Sequence, residues 1–209
     1  MSLVRRLLPL ALVASVLCIA ASASADIIDE WQSVQPPPAP KLVPVTADPK
    51  TTALLMLDFL KANCAPNPRC IATLPAVQKL LAAARASHAT IIYTKFPAPP
   101  PAGDTLSQVA PTGKEPHVTS FLDKFFHTNL DQILKQHHIK TVIVVGSASN
   151  GAVLFTAYAA FERGYKTIVP VDGLSGATPY IDQSVVNDFV TSPVMGGKIV
   201  LTRTGMIGF

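Results

Sequence analysis

Three places in this chain put reactive side chains where an apolar run gives way to a turn or helix. Asp58 follows Ala53-Leu54-Leu55-Met56-Leu57, the turn Gly146-Ser147-Ala148-Ser149-Asn150-Gly151 follows Thr141–Val145, and Asp172 follows Thr167–Val171. If those runs are parallel strands, all three lie at carboxyl ends, where α/β folds place their ligands. A carboxylate there can move a proton, and a turn that opens a helix offers unpaired N–H groups to an anion. Each has a plainer role as a helix cap or turn former. Ser149 would need a positioned base to act as a nucleophile, so capping by Ser149 or Asn150 is the expectation. Turn stabilisation is the expectation for Asp172.

Other chemistries are poorly supported. Gly146 and Gly151 have the spacing of a phosphate-binding loop, but Ala152 and Val153 stand where lysine and serine or threonine are needed, and no G-x-G-x-x-G occurs. His88, His117, His127, His137 and His138 show no ligand spacing, so no metal is expected, and nothing calls for another cofactor.

The elements that must position these residues alternate. The apolar runs at 53–57, 89–93, 141–145, 167–171 and 199–202 read as strands. Between them, Val77, Leu80, Leu81 and Ala84 share a helical face in a helix starting near Pro75. Leu130, Ile133 and Leu134 mark a second helix, and residues 151–163 a third, closed by Gly164. Residues 96–117, with six prolines, read as a long loop. The expected architecture is a three-layer α/β/α sandwich on a mostly parallel sheet of five or six strands.

The amino-terminal residues set the compartment. Arg5-Arg6, the apolar stretch from Leu7 to Ala21 and Ala-Ser-Ala-Ser-Ala before Asp26 have the layout of a signal peptide, residues 1–25. The apolar stretch is short for a membrane span, so no membrane association is expected after cleavage. Residues 26–52, rich in proline, read as an extended arm, leaving 53–209 as a single domain. Removing Arg5 and Arg6 lowers the formal charge from +4 to +2, which does not point to nucleic acid. In a periplasmic or secreted protein, Cys64 and Cys70 are expected to form a disulfide; the competing roles are nucleophile or metal ligand.

Several motifs occur together in order: Leu55-Met56-Leu57-Asp58-Phe59, Phe125-Phe126-His127-Thr128-Asn129-Leu130, Val144-Val145-Gly146-Ser147-Ala148-Ser149-Asn150-Gly151-Ala152-Val153 with Thr156-Ala157, and Glu162-Arg163-Gly164-Tyr165. Over about residues 53–175 they resemble the signature of the isochorismatase-like hydrolases. That family works with an aspartate, a lysine and a cysteine nucleophile. The resemblance implies Asp58 as the aspartate and puts Ala152 where the cysteine belongs. The lysine position falls near Thr119, which has no amine; Lys124 is the nearest substitute, at the start of a helix. Ser149, Asn150, Gly151, Thr119 and Phe125 are the implied substrate-binding positions, around a small molecule, and the resemblance leaves room for a homo-oligomer.

Two functional readings follow. One is Asp-dependent, non-covalent hydrolysis of a small molecule, as in isochorismate-cleaving members, which do without the cysteine. The other is a catalytically inactive secreted binding protein on the hydrolase scaffold.

Overall fold

The computed structural model describes residues 26–209. The signal-peptide expectation, with Cys18, therefore lies outside the described residues. The described residues divide into two units, 26–37 and Pro38–Phe209. In the first, helix α1 (Ile27–Glu30) is capped by Asp26, whose side chain accepts from the Ile28 N–H at 2.8 Å. Ile27, Ile28 and Trp31 are exposed.

The second unit is built on a parallel sheet. Strands β2 (Thr52–Leu57), β3 (Thr90–Lys95), β4 (His117–Thr119), β5 (Thr141–Ser147), β6 (Lys166–Pro170) and β8 (Val200–Thr202) run in the order β4-β3-β2-β5-β6-β8. β7 (Leu174–Ser175) adds a seventh strand beside β5, and every pairing in this sheet is parallel. All six residues of β2 are buried, as the centre of a sheet covered on both faces requires.

The alternation of side chains along the strands sorts them into two cores. Leu55, Leu57, Val142 and Val144 face helices α3 (Leu130–Gln136), α4 (Leu154–Glu162) and α5 (Pro179–Thr191), through Leu130, Leu134, Ala157, Val185 and Phe189. Leu54, Met56, Ile143 and Val145 face helix α2 (Pro68–Ala86), through Leu74, Val77, Leu81 and Ala84. The three-layer sandwich is thus as expected, with each buried aliphatic side chain adding roughly 1.5–3 kcal/mol.

Four details differ from the sequence reading. Helix α2 starts at Pro68, two turns before Pro75, because Asn67 caps it by accepting from the Arg69 N–H at 3.0 Å. Pro75 lies inside that helix, on its exposed side. α5, with Thr178 as its cap and Pro179 in its first turn, fills the stretch between the runs at 167–171 and 199–202, to which the sequence reading assigns no element. The segment 38–52 belongs to the body: strand β1 (Val45–Thr46) pairs with β9 (Ile207–Gly208), and the Val43 N–H donates to the Leu201 carbonyl.

Cys64 and Cys70 are joined by a disulfide, both fully buried, with Cα atoms 5.2 Å apart. The bridge ties the loop after β2 to the first turn of α2. Closing so short a loop restricts the unfolded chain by about 2 kcal/mol. Reductant should therefore lower the thermal midpoint by roughly 5 °C. A Cys64→Ala/Cys70→Ala variant should start at the lower value and ignore reductant; a wild-type midpoint equally indifferent to reductant would contradict this.

Candidate active site

β2 ends at Leu57, directly beside Gly146 of β5 and Thr94 of β3. The two central strands approach so closely that a Cβ on Gly146 would sit 2.2 Å from the Leu57 carbonyl oxygen, so only glycine fits there. The next residue, Asp58, has φ of 52°, a left-handed conformation that aspartate tolerates better than most residues but which is uncommon outside turns and functional sites. Its N–H donates to the Thr94 carbonyl at 3.3 Å. The carboxylate is thereby held at the strand end with 3% of the residue exposed.

The carboxylate has two partners. Thr94 Oγ1 donates to Oδ1 at 2.7 Å, and Lys124 Nζ donates to Oδ2 at 2.7 Å. Lys124 is fully buried, and its other two protons go to the carbonyls of Ser120 at 2.8 Å and Phe121 at 2.7 Å. Three donors thus meet three acceptors, the arrangement a buried ammonium needs. The Lys124 N–H donates to Thr156 Oγ1 of α4 at 3.2 Å, which anchors this segment on the helix.

Burial pushes the Asp58 carboxyl above the ordinary carboxylate range, against the pull of Lys124 and Thr94. Burial likewise lowers the Lys124 amine, against the pull of Asp58. Such a carboxyl gives up and takes back a proton at higher pH than a solvated one.

Of the two candidates for the lysine position, the structure brings Lys124 to Asp58. Thr119 is exposed on edge strand β4, and the amine comes from Lys124, five residues further on. A lysine that spacing places at a helix start bends back under its own loop and reaches Asp58.

The turn after β5 carries the other sequence candidates. The peptide joining Ser147 to Ala148 is cis, and Ser149–Val153 forms a π-helical turn ahead of α4. Ala152 is buried in that turn, Asn150 is exposed and Gly151 is half-buried. Neither Ser149 nor Asn150 caps α4. Ser149 instead donates to Asp182 Oδ1 at 2.7 Å, and the Gly176 N–H donates to the same oxygen at 2.5 Å. Arg69 binds Asp182 Oδ2 through Nε at 3.1 Å and through NH2. Asn63 Nδ2 donates to the Ser147 carbonyl at 3.2 Å. Asp172 accepts from the Thr204 N–H at 2.7 Å and Oγ1 at 2.9 Å, securing the turn as expected.

Phe125, expected on the substrate, is a core residue. It is 5% exposed, stacks on Tyr165 and lies under the Arg163 guanidinium. The exposed apolar side chains are its neighbours: Phe121, Leu122 and Phe126 on the segment that carries Lys124, and Phe155 at the start of α4.

Thr94, Arg69 and Asp182 were missed. Thr94 ends an apolar strand beside Asp58 and had a readable signal; Arg69 and Asp182 stand 113 residues apart, and no spacing connects them.

A family model described as the isochorismatase domain matches residues 52–198, most of the chain. The chain belongs to the isochorismatase family. This isochorismatase-family chain is 26% identical over 146 residues to a maleamate amidohydrolase of Pseudomonas putida, covering 56% of this chain and 68% of that protein. Among solved structures it is similar to a cysteine hydrolase of Pseudomonas syringae pv. phaseolicola, at 22% identity and a TM-score of 0.70, covering 80% of this chain and 95% of that one. A nicotinamidase of Staphylococcus aureus gives 20% identity and a TM-score of 0.64, covering 73% and 97%. These likenesses establish the family fold, of which the Asp58–Lys124 pair occupies the strand ends.

Proposed function

We propose that this isochorismatase-family protein hydrolyses a small molecule through Asp58 without a covalent intermediate. The observation that carries the reading is the buried pair of Asp58 and Lys124, with Thr94 on the second carboxylate oxygen. An ion pair removed from water is costly to maintain, and burial, against the pull of Lys124, gives the carboxyl a raised affinity for protons at the place where α/β folds react. The methyl of Ala152 cannot attack an amide carbon, so the thiol route is closed at that position.

In the enol-ether case, the Asp58 carboxyl gives its proton to the terminal carbon of the double bond. Water adds to the resulting oxocarbenium carbon, and the carboxylate takes back the proton that water releases. The hemiketal then loses its alcohol, leaving a ketone. Lys124 holds the carboxyl in place and opposes its charge. For an amide, the same carboxylate would instead take a proton from the attacking water.

A panel of enol ethers, including isochorismate, and small amides, assayed across pH, tests the reading. An acid role predicts a rate that is full at low pH and lost as pH rises through the raised Asp58 value; a base role predicts the opposite slope. In either case Lys124→Met should shift the limb to higher pH, since the opposing charge is gone. A limb that stays put would remove Asp58 from the mechanism.

A second reading rests on the burial itself. With Asp58, Lys124 and Ala152 nearly closed to solvent, the family fold would serve as a binding scaffold. Absence of turnover on the whole panel supports it. The disulfide and the amino-terminal pattern support a periplasmic or secreted location for either reading.

A further inference from the structure

A cleft of about 720 Å³ opens where the carboxyl ends of β6 and β8 meet the first turns of α2 and α5. Neither Asp58 nor Lys124 lines it. The volume falls within the range typical of small-molecule sites. Most of the wall is apolar: Pro40 and Leu42 from the segment before β1, Ala72 from α2, Val171 and Leu174 around the turn after β6, and Val186 from α5.

The charged groups on the wall are unequally engaged. Asp182 already takes four hydrogen bonds, from Ser149, Gly176 and two nitrogens of Arg69. Asp172 has one donor on each oxygen, both from Thr204. Arg203 is exposed at the rim, and among the described residues its guanidinium has no hydrogen bond, ion pair or ring contact. The acids of the cleft are therefore spent on the fold, while the five N–H donors of the cation at its rim have no protein acceptor among the described residues. A guanidinium beside an apolar wall matches a planar anion with an apolar body, because it can take a carboxylate through two parallel hydrogen bonds.

We propose that this cleft binds a small organic carboxylate, its head group on Arg203 and its apolar body against Leu42, Val171 and Val186. The site stands apart from the Asp58–Lys124 pair and does not depend on the reaction proposed there. Asp182 forms part of the cleft wall and also holds the Ser149 turn, so the two regions share a side chain.

Calorimetric titration of the whole protein with benzoate and hexanoate, and with benzyl alcohol and hexanol as uncharged counterparts, tests this. The carboxylates should bind at roughly millimolar dissociation constants, and the alcohols about tenfold or more weakly. Arg203→Gln should weaken carboxylate binding about tenfold and leave the alcohols unchanged, whereas Lys114→Gln, remote in the loop before β4, should change neither. Ala72→Trp, which fills the cleft, should abolish both. Carboxylates that bind no better than the alcohols, or that bind Arg203→Gln as well as wild type, overturn the proposal, as does no heat up to about 20 mM. Because Arg203 is exposed, its variant folds and the result stays readable even if Ala72→Trp does not.

Discussion

Asp58→Asn is expected to abolish turnover and to destabilise the protein together. Loss of the proton-carrying group should lower the rate by about 10²–10⁴. The stability cost arises because Lys124, fully buried, keeps its two carbonyl acceptors but loses its countercharge. Breaking a buried pair from one side costs about 3–5 kcal/mol. In a domain of this size that is roughly 10 °C of thermal midpoint.

The sign of its pH dependence follows from the lysine. Burial already holds the Lys124 amine below its ordinary value, and removing Asp58 takes away the largest influence raising it. A group whose folded value is depressed contributes stability present above its unfolded value and lost as pH falls through the folded one. The deficit of Asp58→Asn should thus shrink as pH rises towards 10 and grow below it. Asp58→Asn/Lys124→Met removes both charges and should regain most of the stability while staying inactive. Recovery of stability without activity separates folding from chemistry; an Asp58→Asn protein as stable as wild type at pH 7 would show that the pair is not held in the form described.

The second large effect is a gain. Ala152→Cys should confer hydrolysis of small amides that is lost on treatment with iodoacetamide. The position lies in the turn that opens α4, where unpaired N–H groups favour a thiolate, and family resemblance puts the nucleophile there. Cys64 and Cys70 are bonded to each other, so, Cys18 aside, alkylation reads the introduced thiol alone. Ala152 is tightly packed, and the added sulfur should cost about 1–3 kcal/mol. A thiol that alkylates with an ordinary pH dependence and gives no amide hydrolysis would detach this turn from the chemistry.

What the sequence made legible follows from burial. β2, β3, β5, β6 and β8 announced themselves because a parallel strand covered on both faces is apolar at nearly every position. β4 did not, since an edge strand of three residues with His117 and Thr119 exposed carries no such run. α5 escaped because Val185, Val186, Phe189 and Val190 are β-branched or aromatic residues that favour strands on propensity alone. At the site, Asp58 was legible from its place after an apolar run, and Lys124 only as the nearest amine to the expected lysine position. The reach of a four-carbon side chain bending back under its own loop is set by tertiary packing, which residue spacing does not encode. Phe125 failed in the opposite sense: its motif was recognised, but the ring is used for packing beneath Arg163.

The burial of Lys124 against Asp58 also constrains how this protein can diverge. Either charge alone is worse than both or neither, so a lineage that replaces Asp58 passes through an unstable intermediate unless Lys124 is replaced almost at once. Among descendants and close kin, positions 58 and 124 should therefore be inherited as a unit, kept together or lost together, whereas a change at Ala152 carries only its own packing cost and needs no partner change.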